Sequence, residues 1–158
     1  MQSILVKIQN SAGKIQIEMI GSIDENFNQF TKEIPKTGEI EISLLGLKSI
    51  NSTGIREWIK LMQSIPQVKI SFTHCPKIFI DQVNMVSGFI PSTAQFLSFY
   101  VPYYNEDLDK EALVLYKLGE NFTSNSVQVQ DHYKDANGNM FELDVVKTKY
   151  FKFIQQPT

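Results

Sequence analysis

In the stretch GEIEISLLGLKSINSTGIREWIKLMQSIPQVKISF, Gly38 to Phe72, the apolar period changes twice. Ile40, Ile42 and Leu44 alternate with Glu39, Glu41 and Ser43, which is the period of a half-buried strand. Asn51, Ser52 and Thr53 are helix-capping types, and behind them Ile55, Trp58, Ile59, Met62 and Ile65 recur at helical spacing until Pro66. Val68, Ile70 and Phe72 then return to period two. Strand, helix and strand in direct succession imply a parallel strand pair with a right-handed crossover.

Outward from this stretch, Ile4, Val6 and Ile8, then Ile15, Ile17 and Met19, alternate on either side of a turn containing Gly13, a hairpin pattern. Asp24 is placed to cap a short helix whose apolar positions Phe27, Phe30 and Ile34 end before Pro35. Pro76 opens a further helix with Phe79, Val83 and Val86 in register before Gly88. The order β-β-α-β-α-β-α over residues 1–91 predicts an α/β domain, a mixed sheet with helices packed on it. Residues 92–158 read as a small β-rich appendage: aromatic-rich short strands, including Val127-Gln128-Val129, a tight turn at Asn137-Gly138, and a terminal helix with Val146, Tyr150 and Phe153 in register.

The chain has 158 residues and 42% hydrophobic side chains, enough for one globular core. Its formal charge of -2 and pI near 5.7 provide no field for a phosphate backbone, so nucleic acid is not an expected partner. No apolar run is long enough to span a bilayer, and Met1 to Lys7 lacks the basic region and apolar run of a secretory signal. No membrane association and a cytoplasmic location are therefore expected. Cys75 is the single cysteine, which suits a reducing compartment, and it cannot combine with His74 and His132 into a zinc ligand set at recognisable spacing.

Gly21-Ser22-Ile23-Asp24 after a strand, and Asn51-Ser52-Thr53-Gly54 opening a helix, resemble the G-x-L-D and D-S-[ST]-G patterns of the STAS domain of anti-sigma-factor antagonists. The resemblance covers residues 1 to about 90. It implies a module that binds an anti-sigma factor that is also a serine kinase, and that is released when a serine at the start of the second helix is phosphorylated. Carried over, the phosphoacceptor is Ser52 with Thr53 beside it, Gly54 permits close backbone approach, and Asp24 matches the acidic residue of the first loop. Asn51 stands where the family has Asp. The expected partner face comprises Asp24, Asn51, Ser52, Thr53, Gly54, Arg56 and Glu57.

The tail, with Pro102-Tyr103-Tyr104-Asn105 and Tyr150-Phe151-Lys152-Phe153-Ile154, is similar to that of a STAS subgroup ending in a zinc-ribbon-like module. Asn105 and Leu108 occupy the first two cysteine positions and Lys134 to Gly138 the second knuckle, so the resemblance implies a ribbon that has lost its ligands, with no metal and no cofactor.

The remaining constellations have bland explanations. His74 and Cys75 are neighbours at a strand end and point to opposite faces, so they are not a thiolate pair. No Walker loop, G-x-G-x-x-G or G-x-S-x-G occurs, and a non-catalytic protein is expected. Asp131 to Asn139 lacks EF-hand glycine spacing and reads as a polar hairpin loop. Lys147, Lys149 and Lys152 read as the solvated face of an amphipathic helix. The other readings the sequence leaves are a scaffold subunit without a switch and a small-ligand or nucleotide sensor.

Overall fold

A computed structural model describes residues 4 to 155, so Met1 to Ser3, used above in reading the N-terminus, lie outside it. Strands β1 (Leu5–Ser11) and β2 (Lys14–Ile23) form an antiparallel hairpin. Ala12 and Gly13 turn the chain at φ 51° and 80°, the paired left-handed values of a type I′ turn, where glycine is unstrained. β3 (Gly38–Ile50) and β4 (Val68–Thr73) add in parallel on the far side of β2, with α1 (Ser52–Ser64) and α2 (Lys77–Met85) following β3 and β4. The expected mixed α/β sheet is present.

The alternation sorts the sheet's two faces. Ile17, Met19, Ile40, Ile42, Ile70 and Phe72 are buried, while Gln16, Glu18, Glu41 and Lys69 turn the other way. Trp58 of α1 fills the centre of the covered face. Its ring lies 5.8 Å from Phe27, 6.1 Å from Phe72, 5.5 Å from Phe79 and 5.8 Å from Phe89, and its indole N–H donates to the Phe89 carbonyl at 2.8 Å. Its polar atom is thus satisfied without leaving the core.

The helix expected after Asp24 is a 3-10 segment instead, Phe27–Glu33. Asp24 folds its carboxylate back onto the Asn26 amide at 2.9 Å and so closes a tight turn before the helix can start. The N-cap position falls to Asn26, whose side chain makes no capping bond. Seven residues without a cap give little to hold an α-helical register.

Beyond α2, residues 95–105 form a nearly continuous strand that serves two sheets. β5 (Gln95–Phe96) pairs with β4 as the fifth strand of the first sheet. Leu97 donates to the Phe72 carbonyl at 2.7 Å, and Cys75 and Tyr100 continue the ladder at 3.2 and 2.9 Å. The same run continues as β6 (Ser98–Asn105), paired with β7 (Lys110–Lys117) in a second sheet. β8 (His132–Lys134) and β9 (Met140–Leu143) complete that sheet in the order β7-β6-β9-β8, all antiparallel.

Phe99 stands where the two parts join, within 5.0 to 6.3 Å of the rings of Phe122, Phe153, Tyr116, Phe151 and Tyr150. The appendage therefore shares an apolar core with the first sheet.

Two expectations for the tail are corrected. The terminal helix is broken into α3 (Lys147–Tyr150) and α4 (Lys152–Gln155). The break falls at Phe151, whose backbone leaves the helical range at φ -91° and ψ 10°, and Val146 is left 59% exposed. The expected strand at Val127 to Val129 is reduced to one bridge, Phe122 to Val127. That segment instead crosses buried hydroxyls: Tyr103 donates to the Gln130 carbonyl at 2.7 Å, Tyr116 accepts from the Gln130 amide at 3.1 Å, and the two hydroxyls lie 2.6 Å apart. Burial, and then the hydrogen bond to Tyr116, push the Tyr103 phenol well above its ordinary pKa.

The positions that the resemblance aligns with cysteines are held by side-chain-to-backbone bonds. Asn105 accepts from the Leu108 amide at 2.8 Å and donates to the Met140 carbonyl at 3.0 Å, tying the β6–β7 turn to the second hairpin. Asp135 accepts from the amides of Asn137 and Asn139 at 3.0 and 2.7 Å, which holds its carboxyl below the usual range, the Asn139 amide contributing most. Among the described residues no helix is long and apolar enough to cross a membrane.

Candidate functional site

β2 and β3 run side by side in parallel, so their C-terminal ends lie together, Ile23 opposite Ile50. The Asp24 loop and the start of α1 therefore meet. Open α/β sheets commonly place their sites at such strand ends. Here the junction is tied at the backbone: the Asn51 amide donates to the Ile23 carbonyl at 3.1 Å.

Gly54 makes that approach possible. A Cβ at this position would stand 2.0 Å from the Ile23 carbonyl oxygen and 2.5 Å from its carbon, a collision with backbone that no rotamer relieves. The first turn of α1 is thus pressed against the end of β2 by the absence of a side chain.

Asn51 is the N-cap of α1. Its Oδ1 accepts from the Gly54 amide at 2.7 Å, and its Nδ2 donates to Glu25 Oε2 at 3.1 Å. An aspartate could make the first bond but would face Glu25 with a second negative charge. The Glu25 carboxyl is held below the ordinary range, first by its own backbone amide and then by the Asn51 carboxamide. Nothing in the sequence motif points to Glu25, which lies one residue past it. The available signal was the carboxamide of Asn51, since an amide can donate to a carboxylate.

Ser52 occupies the first helical position with its side chain exposed, and Thr53 beside it is half-buried. Arg56 is exposed one turn further along, on the same flank of the helix as Ser52. Glu57 is half-buried and paired with Lys60 at 3.3 Å. Asp24 is only 3% exposed and Gly54 is buried, so neither offers a side chain to a visitor; both shape the backbone beneath the exposed residues. Ser22 and Ser49, hydrogen-bonded to each other at 2.6 Å across the strand ends, add hydroxyls to this rim that the motif reading missed.

The chemistry available here is hydrogen bonding and charge. Among the described residues, no base is hydrogen-bonded to the Ser52 hydroxyl. Cys75 is fully buried, and that burial raises its thiol pKa far above the ordinary value, so it is inert as a nucleophile. His74 is half-buried and lies 3.0 Å from the Thr73 hydroxyl, bracing the end of β4. A separate groove of about 670 Å³ lies between α2 and α3, with Met85, Val146, Lys77 and Lys149 on its wall.

Comparison with protein-family models and with curated proteins produced no match.

Proposed function

We propose that this chain is a non-catalytic protein-binding module of the STAS type, working as an anti-sigma-factor antagonist does, with Ser52 as the residue whose phosphorylation ends binding. The observation that carries this reading is an exposed hydroxyl at the first position of a 13-residue helix whose start is anchored to the neighbouring loop. The strand and helix order of residues 5–85 and the two motifs at its strand ends support it.

A phosphate on Ser52 would lie at the positive end of the α1 dipole, near first-turn amides without intrahelical partners, and one turn from Arg56. It would also place about -1.5 to -2 charges in the middle of the rim formed by Ser49, Asn51, Ser52 and Arg56. A partner surface matched to a neutral hydroxyl beside an ionised Glu25 would then meet a much stronger negative field. The partner is an anti-sigma factor or a related serine kinase.

Mass spectrometry of the protein purified from its native host tests the modification and identifies the companion together. Phosphate on Ser52 and co-purification of a kinase-like partner are expected. Capture of that partner by Ser52→Ala and loss of capture by Ser52→Asp would complete the case; equal capture by both variants would favour a scaffold without a switch. That second reading has its own support, because Asn51 caps α1 and binds Glu25 with no modification required.

A further inference from the structure

β7 is an outer strand, with β6 on one side and no strand on the other among the described residues. Leu118, just past its end, donates to the Leu97 carbonyl at 2.9 Å. Peptide groups alternate along an antiparallel pair, so even-numbered residues of β7 face β6, and Glu111, Leu113 and Leu115 point outward. Lys117 also points outward, but there the edge is closed. Asn121 Oδ1 accepts its N–H at 2.9 Å, and its carbonyl accepts from the amides of Glu120 and Asn121. Between these limits Ala112-Leu113-Val114-Leu115 carries no charge, proline or bulge, the devices that usually blunt an open edge, and Leu113 is 56% exposed.

We propose that this edge pairs with β7 of a second copy of the chain, antiparallel, on a two-fold axis through Leu113. Symmetry narrows the register. Two identical antiparallel strands related by a two-fold must have a directly opposed pair on the axis, because an axis between pairs would exchange hydrogen-bonded with non-hydrogen-bonded positions. With Leu113 on the axis, Glu111, Leu113 and Leu115 of one copy face Leu115, Leu113 and Glu111 of the other. Every outward peptide group then meets another, and the closed edge at Lys117 stays outside the ladder. Shifting the axis to Ala112 or Val114 leaves an outward group unpaired or drives it against the Asn121 cap.

The side chains agree with this register. Leu113 meets its own copy at the centre, and each Glu111 lies diagonal to the other copy's Lys117, within reach of long side chains. Glu111 and Lys117 are both exposed, and among the described residues neither joins an ion pair within the chain. β1, the outer strand of the first sheet, offers no such complement, its only charge being Lys7. The contact is small, so the dimer should depend on concentration.

Sedimentation equilibrium of the full chain should show a monomer–dimer equilibrium. Lys117→Glu should weaken it about tenfold through like charges across the diagonal, and adding Glu111→Lys should restore it. Directly opposed hydrogen-bonded residues have Cα atoms about 5.5 Å apart, within disulfide range. Mild oxidation should therefore convert Leu113→Cys, but not Leu115→Cys, to a covalent dimer; the native Cys75 is buried and silent. A monomer at every concentration, equal cross-linking of both variants, or no recovery in the double charge swap would overturn the proposal.

Discussion

The two sheets of this protein are stabilised by different chemistry. The first has a covered face of Ile, Met and Phe side chains gathered around Trp58, and its strands follow the period of their apolar residues. The second is smaller and adds to its buried aromatic rings polar atoms used in fixed directions: the Tyr103–Tyr116–Gln130 cluster, the Asn105 link and the Asp135 turn. Hydrophobic burial is non-directional and tolerates local adjustment, whereas a buried hydroxyl network depends on the position of each atom. The first sheet should therefore be sensitive to lost volume and the second to lost hydrogen bonds.

Trp58→Ala should have the largest effect, about 3–5 kcal/mol of lost stability in chemical denaturation, because it removes the ring that Phe27, Phe72, Phe79 and Phe89 surround. Gly54→Ala should follow at roughly 3 kcal/mol, since the Ile23 backbone must retreat from a Cβ. A loss below half that value would mean that the α1 start is not pressed on β2 as described. Tyr103→Phe, which changes almost no volume, should cost about 1–3 kcal/mol by leaving the Gln130 carbonyl without its buried donor. A neutral outcome would remove the contrast between the sheets. All three variants should lower a single cooperative transition, because Phe99 and its neighbours join both sheets in one core.

The smallest effect expected is an acid one. Asp135 has a native pKa below its unfolded value of about 3.8, so its contribution is present above that value and is lost as the pH falls through the native one. Asp135→Ala should lower the melting temperature at pH 7 and narrow its gap to the native chain as the solution is acidified. A gap that widens with acidification would contradict the Asp135 turn.

The same contrast explains what the sequence could reveal. Period two in β3 and helical spacing in α1 are long signals, and both elements lie where Ile40 to Ile65 place them. The segment after Asp24 has helical spacing too, but a local competitor, the Asp24 carboxylate bonding the Asn26 amide, is invisible to periodicity. In the tail, Val146, Tyr150 and Phe153 have the spacing of one helix, and the backbone break at Phe151 that divides it leaves no mark on that spacing. At the candidate site, capping by residues 51–53 is legible from residue type, whereas the Glu25 contact depends on two loops meeting at adjacent strand ends. The Ser22–Ser49 pair is non-local in the same way, 27 residues apart, and no short motif encodes it.

Residues 95–105 work as a splice, one length of backbone stitched into both sheets. A fragment ending at Pro91 would strip β4 of the partners that now hold Phe72 and Cys75, and would bare the aromatic rings beneath. Force applied to the tail would reach the neighbouring β-structure through main-chain bonds, without any lever of side chains between them.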